Sequence, residues 1–271
     1  MITSVRAPNG RELMAAGHPA PAMDPHDFPT SGLTGWHDCF PTIAAGEVLD
    51  VGGRRVAVGD HGDLWHCSWT IEEQRPDSLR MSCRLPELGV RAERSVSWEG
   101  GSLVVESAYR LERPSGFPFV WASHPLFEVD EESWIDLGDQ ESRSWPRSPN
   151  GMRLGETWPA IGGRRYWRDV PMGTARKLFL AWPDGGVQFF TVGQLWRMDA
   201  TFDGAAPTTA RLGLWINRGG FPAGEPLSHL AIEPTLGDAD TISAAAAGGT
   251  AQTLEFGRAL RVRIILEPLM G

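Results

Sequence analysis

The chain has 271 residues, of which 41% are hydrophobic and 22% charged, enough for one large domain or two smaller ones. Its formal net charge of −9 argues against nucleic acid or an anionic membrane as the main partner. Cys39, Cys67 and Cys83 lack CxxC spacing, so no disulfide framework is expected and a reducing, cytoplasmic location is predicted. The sequence contains neither a membrane-spanning apolar run of about 18 residues nor the apolar segment of a signal peptide.

The first half of the chain is predicted to form short antiparallel strands. Residues 1–17 indicate a hairpin with a turn at Asn9-Gly10, and residues 47–59 indicate another around Gly52-Gly53. Between residues 65 and 111, apolar and polar side chains alternate with a period of two, which predicts a meander. Residues 119–129, FVWASHPLFEV, predict a buried strand interrupted by a proline.

Strands are also predicted in the second half, after an irregular stretch at 138–175 that could cover a binding face. They are expected at 177–183, 187–192, 195–203, 210–220, 229–234 and 253–268, and a single helical turn is expected at 242–249. With 32 glycines, 21 prolines and no long segment of helical periodicity, the sequence favours an all-β sandwich or barrel. We expect one domain spanning residues 1–271.

Glu233 is the carboxylate that the pattern singles out. It ends an apolar run and precedes Pro234, which cannot donate to a sheet ladder, so the strand is expected to stop there. A glutamate held at the mouth of a β-rich core is partly desolvated, as a general base requires. The alternative is a glutamate at a strand end that points into water.

Two histidines stand out. His61 lies in the inter-strand sequence DHGDLW, and His124 lies inside an apolar strand, where an unsatisfied imidazole is costly. His124 is therefore either a functional group or a core histidine bonded to a backbone carbonyl. Other histidines, including His37, are expected to solvate loops or to pack. The spacing of His61, His66 and Cys67 fits no zinc pattern, so no metal site is expected. The sequence contains no GxSxG, P-loop or GxGxxG motif.

Three motifs in order carry a resemblance to a known family. DHGDLW at 60–65, SHPLF at 123–127 and AIEPTLGDAD at 231–240, preceded by GWHDCFPTI at 35–43, resemble the aldose 1-epimerase (galactose mutarotase-like) superfamily. The resemblance covers nearly the whole chain. It implies an all-β, galactose-mutarotase-type β-supersandwich whose partner is a monosaccharide or sugar-terminal substrate, and which requires neither metal nor cofactor.

The resemblance also implies roles for individual residues. Glu233 matches the general base that takes the proton from the C1 hydroxyl of the sugar, and His124 matches the general acid that protonates the ring oxygen. His61 matches the histidine that orients the sugar near its ring oxygen. Trp36 and Trp215 are expected to bind substrate, because flat rings suit the C–H faces of pyranoses, although a core role is the alternative for any tryptophan.

The chain departs from the family pattern in two ways. Asp38 lies in GWHDCFPTI and Asp63 lies in DHGDLW. Two acidic side chains make a poor phosphate site, so a neutral sugar is favoured over a sugar phosphate. Asp38 is expected either to accept hydrogen bonds from sugar hydroxyls or to cap a loop. In addition, MITSVRAPNGREL resembles the family's second or third strand, so about two initial strands are expected to be lacking, which would leave a sheet edge exposed.

Two other functions stay open at the level of the sequence. A non-catalytic carbohydrate-binding protein could use the same scaffold, since a fold does not fix a function. A glycoside hydrolase would need a second carboxylate beside the site, and Asp38, Asp63 or Asp203 could supply one. The presence of His61, His124 and Glu233 together favours the isomerase over the binding protein and the hydrolase. The sequence leaves the oligomeric state open.

Overall fold

The computed structural model describes residues 1–17, 34–138, 158, 162–222 and 227–270. Within these ranges the chain forms 18 strands and a single six-residue α-helix. The predicted all-β class is thereby confirmed. The helix, α1 (Ile242–Ala247), lies at the predicted helical turn. Thr241 caps its N-terminus, because the Thr241 side chain accepts a hydrogen bond from the Ala244 amide. None of the helices in the described ranges is long and apolar enough to cross a membrane.

A five-stranded antiparallel sheet carries His124 and Glu233, two of the residues that the sequence motifs single out. Its strands in spatial order are β1 (Trp36–Cys39), β9 (Trp121–Phe127), β16 (Ser228–Leu236), β15 (Ala210–Arg218) and β12 (Thr174–Ala181). Every residue of β9 is buried. A strand covered on both faces needs no polar side, which explains why this segment appears in the sequence as a nearly continuous apolar run.

A nine-stranded antiparallel sheet forms the second layer. It contains β11 (Arg164–Tyr166), β10 (Trp134–Asp136), β13 (Val187–Thr191), β14 (Gln194–Asp203), β18 (Leu260–Leu269), β7 (Ser102–Leu111), β6 (Val90–Glu99), β5 (Ser78–Leu85) and β4 (Thr70–Gln74), in that spatial order. The predicted meander is the run from β4 to β7. Two ribbons complete the strands: β2 (Gly46–Leu49) with β3 (Arg55–Val58), and β8 (Gly116–Phe119) with β17 (Gln252–Glu255).

The main core lies between the two sheets. One face of the five-stranded sheet packs there together with inward side chains of the nine-stranded sheet. Polar side chains also join the layers, since the indole of Trp121 in β9 donates to the hydroxyl of Tyr109 in β7 at 3.0 Å. The opposite face of the five-stranded sheet points away from the nine-stranded sheet.

Strand β16 does not end at Pro234, contrary to the sequence prediction. It continues to Leu236, with Pro234 opposite Leu212 of β15. On its other side, the pairing with β9 stops at Ala231 and resumes at Thr235. The missing N–H of Pro234 falls in this interruption, so the proline breaks one ladder locally without ending the strand. Glu233 therefore lies inside the sheet.

The remaining expectations concern loops and turns. The N-terminal hairpin is present as a bridge between Arg6 and Glu12 around Gly10, which has the left-handed φ of 83° that such a turn favours. The second predicted hairpin is the β2–β3 ribbon. Most of the irregular stretch expected to cover a binding face, residues 139–157 and 159–161, lies outside the described residues.

Candidate active site

Four polar side chains from four strands meet on the face of the five-stranded sheet that points away from the main core, hereafter the site face. They are His37 of β1, His124 of β9, Glu233 of β16 and Lys177 of β12. His37 lies directly opposite His124 in the ladder, and their ring centroids are 5.0 Å apart. His124 Nε2 lies 3.4 Å from Glu233 Oε1, while the Lys177 ammonium contacts Glu233 Oε2. One oxygen of the buried Glu233 carboxylate therefore faces an imidazole, and the other oxygen forms an ion pair with an ammonium group.

Gly213 gives the Glu233 carboxylate its space. This glycine lies opposite Glu233 in the β15–β16 ladder. A Cβ atom at position 213 would lie 3.2 Å from both the Cβ and the Oε2 of Glu233, tighter than ordinary van der Waals contact. The glycine is needed here for close approach of a side chain, which is one of the uses of glycine within a strand.

His61 reaches the site face from the loop after β3. The loop is held against the end of β1, where the Cβ of any residue at Gly62 would lie only 2.1 Å from the carbonyl oxygen of Phe40. His61 and Gly62 both have left-handed φ values, 61° and 69°, which is uncommon for a residue other than glycine. The His61 ring centroid lies 5.3 Å from that of His124 and 5.6 Å from that of His37. The loop geometry therefore completes a cluster of three imidazoles.

Burial and charge shift the protonation of this cluster. Burial raises the pKa of Glu233 above its usual range, with the Lys177 ammonium acting in the opposite direction. Burial also lowers the pKa of His124 well below its usual range, and the nearby His37 and Lys177 lower it further. For Lys177, burial lowers the pKa, but attraction to Glu233 and Asp240 outweighs it and the pKa is raised. The Lys177 side chain is therefore held as an ammonium beside the Glu233 carboxylate.

An apolar wall borders these polar groups on the site face. It consists of Leu126 and Ala231, which are paired in the ladder, with Trp65, Trp215 and Phe221 packed against them. Trp215 and Trp65 are only partly buried. The wall therefore offers flat aromatic surface beside the carboxylate–imidazole pair.

The structure corrects the predictions for Trp36 and Asp38. Both lie on the core side of β1, because successive residues of a strand point to opposite faces and His37 occupies the site face. The Trp36 indole donates to Ser123 Oγ at 2.6 Å. Asp38 accepts a hydrogen bond from the Tyr109 hydroxyl at 2.6 Å and forms a buried ion pair with Arg94. Neither side chain contacts the site, so the predicted substrate contacts for these two residues were wrong.

Sequence reasoning missed His37 and Lys177. His37 lies between Trp36 and Asp38 in the motif GWHDCFPTI, but only the pairing of β1 with β9 shows that it faces His124. Lys177 is the single lysine of the chain, but no motif surrounds it and its rarity alone does not indicate a site. His61, His124 and Glu233 do converge on one face, and Trp215 lies on the same face.

Comparisons with known proteins agree on the fold. No protein-family model and no curated protein matches the chain. Among solved structures, a galactose mutarotase related enzyme from Lactobacillus acidophilus matches with a TM-score of 0.65 and 12% identity over 99% of this chain and 91% of that one. A galactose mutarotase-like protein from Lactobacillus casei matches with a TM-score of 0.63 and 13% identity, covering 96% of this chain and 90% of the other.

A third solved structure extends the likeness to an animal protein. An aldose epimerase homologue from C. elegans matches with a TM-score of 0.62 and 13% identity over 98% of this chain and 91% of that one. The fold is therefore galactose mutarotase-like, as the sequence motifs predict. Fold and site together define an all-β protein of this architecture with a buried carboxylate–imidazole pair on an aromatic-bordered face.

Proposed function

We propose that this protein is a cofactor-independent, aldose 1-epimerase-like isomerase that interconverts the anomers of a neutral sugar. The observation that carries the proposal is the Glu233–His124 pair: Glu233 is fully buried, its Oε1 lies 3.4 Å from His124 Nε2, and both side chains lie on a face bordered by partly exposed tryptophans. A desolvated carboxylate beside an imidazole is suited to moving protons on and off sugar oxygens.

The proposed reaction opens and recloses the sugar ring. Glu233 removes the proton of the C1 hydroxyl, and the bond between C1 and the ring oxygen breaks as C1 becomes an aldehyde. The electron pair of that bond stays on the ring oxygen, which receives a proton from His124. Rotation about the C1–C2 bond and the reverse proton transfers then give the other anomer, with both side chains restored.

The protonation of the pair supports these roles. Ring opening requires that Glu233 and His124 together hold one proton, located on the imidazole when the sugar is attacked. Burial raises the pKa of Glu233 and lowers that of His124, and both shifts reduce the cost of moving this proton from the imidazole to the carboxylate. The Lys177 ammonium at Oε2 opposes the rise in the pKa of Glu233 and so favours the ionised carboxylate that acts as the base.

Substrate binding is assigned to the groups that border the pair. We assign to His61 the orientation of the ring oxygen, and its ring centroid, 5.3 Å from that of His124, supports this role. Trp215 and Trp65 offer aromatic faces to the sugar C–H groups. Asp60 and Asp63 flank His61 in the chain and disfavour a phosphorylated substrate, which supports a neutral sugar.

Mutarotation of freshly dissolved α-D-glucose and α-D-galactose, followed by polarimetry, tests the proposal. Wild type is expected to accelerate the change, and Glu233→Gln and His124→Gln are each expected to reduce the rate by about 10²- to 10⁴-fold, the usual contribution of acid–base groups. Glu267→Gln, which alters a partly exposed strand residue, is the matched control and should be unaffected. Full activity in Glu233→Gln would overturn the mechanism.

An inactive wild type that still binds sugars would instead favour a carbohydrate-binding protein. Tryptophan fluorescence reports such binding, because two tryptophans border the site face. In that case Trp215→Ala would weaken binding, whereas Glu233→Gln would leave it nearly unchanged.

A further inference from the structure

We propose that His37, Cys39 and His61 form a binding site for a zinc-like transition-metal ion next to the Glu233–His124 pair. The ligand atoms of these three side chains all lie within 4.8 Å of one another. The inference does not rest on the isomerase reaction, in which neither His37 nor Cys39 takes part.

Strand geometry brings the first two ligands together. His37 and Cys39 are alternate residues of β1, so both side chains point to the site face. His61 approaches from the loop that Gly62 anchors against Phe40 at the end of β1. Two rigidly attached backbone segments thus supply the three donors, which favours a defined geometry over a chance encounter of flexible side chains.

The type of donor points to zinc or a similar ion. Two imidazoles and one thiolate form a ligand set typical of zinc sites, whereas calcium and magnesium prefer oxygen ligands. Zinc–ligand bonds of roughly 2.0–2.3 Å place ligand atoms about 3.3–3.8 Å apart in a tetrahedral site, so side-chain adjustments of about 1 Å suffice. Three protein ligands leave a fourth position open, as in sites where zinc takes part in chemistry.

An orienting carboxylate strengthens the assignment. Asp60 Oδ2 lies 3.3 Å from His61 Nδ1. In metal sites a carboxylate at one ring nitrogen fixes the tautomer of the histidine and leaves the other nitrogen for the ion. Asp60 is therefore a positioning residue, and Asp60→Asn should lower metal affinity about 10-fold while leaving the ligands in place.

The position of the site predicts an influence on the neighbouring pair. The His124 ring centroid lies 5.0 Å from that of His37 and 5.3 Å from that of His61. A bound dication at this distance adds positive charge beside the acid–base groups. We therefore expect metal loading to change the rate of any reaction catalysed by Glu233 and His124, in addition to its direct spectroscopic signature.

Cobalt(II) binding to chelator-treated full-length protein is the direct test. Cobalt replaces zinc with the same ligands and, when a thiolate coordinates, shows a sulfur-to-metal charge-transfer band. Wild type is expected to bind a single equivalent with this band, and zinc should displace it. Cys39→Ser should abolish the band and His37→Gln should weaken binding at least 10-fold, whereas Cys67→Ser, which removes a partly exposed thiol outside the cluster, should match wild type.

The outcomes separate this site from the proposed isomerase. Glu233→Gln should lose mutarotation but retain the cobalt band, so failure of one proposal does not imply failure of the other. Absence of a charge-transfer band in wild type, or an unchanged band in Cys39→Ser, would overturn the metal site. Circular dichroism monitors folding of each variant, and His61→Gln provides a second ligand variant if Cys39→Ser does not fold.

Discussion

Replacing Lys177 by methionine should strongly destabilise the protein in a pH-dependent way. Lys177 is the cation in contact with Glu233, whose side chain is 0% exposed, and its own side chain is 10% exposed. Methionine preserves most of the stem but leaves a buried carboxylate without its counter-charge. Breaking a buried ion pair from one side costs about 3–5 kcal/mol, and the near-complete burial places this pair within that range.

The pH dependence follows from the pKa of Glu233. Burial already raises this pKa above 4.5, the value for the unfolded chain, and the loss of the ammonium raises it further. A group with a raised folded-state pKa contributes stability below its unfolded pKa and loses it as pH rises through the folded pKa. The cost of Lys177→Met should therefore be larger near pH 8 than near pH 5, because protonation of Glu233 at the lower pH relieves the buried charge.

Urea unfolding followed by tryptophan fluorescence at the two pH values measures this cost. The double variant Lys177→Met/Glu233→Gln should recover most of the loss, because it removes both charges. Arg197→Met, which breaks the partly exposed pair with Glu267, is the matched control and should cost less than about 1 kcal/mol at either pH. A cost of Lys177→Met below about 1 kcal/mol near pH 8, or one independent of pH, would refute the reasoning.

Three further outcomes are expected. Gly213→Ala should lower the proposed mutarotase activity at least about 10-fold by displacing the Glu233 carboxylate. Gly46→Ala, where nothing lies within 4 Å, should leave that activity unchanged. Burial lowers the pKa of His229 from 6.5 to about 4. The folded state therefore loses about 3 kcal/mol of stability as the pH falls from 6.5 toward 4, because over this range the unfolded chain binds the proton more strongly. Unfolding titrations of wild type and His229→Phe should diverge in acid, and parallel curves would contradict this. Trp215→Phe removes the indole donor 3.0 Å from His229 Nε2 and should cost about 1 kcal/mol in the same unfolding assay.

The sequence carried enough local information to predict the strands and the order of the motifs. Alternation with a period of two marked the meander from β4 to β7, and glycine-containing turns marked the hairpins. The prediction that the strand ends at Pro234 was wrong, because a proline removes one backbone hydrogen-bond donor but does not by itself end a strand. Only the partner strands determine whether that bond is needed, and the β9–β16 ladder is interrupted where the proline lies.

The sequence also does not determine which face of a sheet the side chains of a strand point to. Within WHDC, the period of two separates Trp36 and Asp38 from His37 and Cys39, but it does not tell which pair faces the core. The pairing of β1 with β9 decides this, since it places His37 against His124 and Asp38 against Ser123. The predicted contacts of Trp36 and Asp38 with substrate were wrong for this reason.

By itself, the sequence determined the all-β class, most strand positions and three polar residues, His61, His124 and Glu233, that lie close together on the site face. These features depend on local periodicity, turn chemistry and short motifs. The tertiary structure alone decided that Lys177 contacts Glu233 and that Cys39 joins His37 and His61. The physical reason is that contacts between residues far apart in the chain depend on strand order and register, and no local pattern specifies either of them.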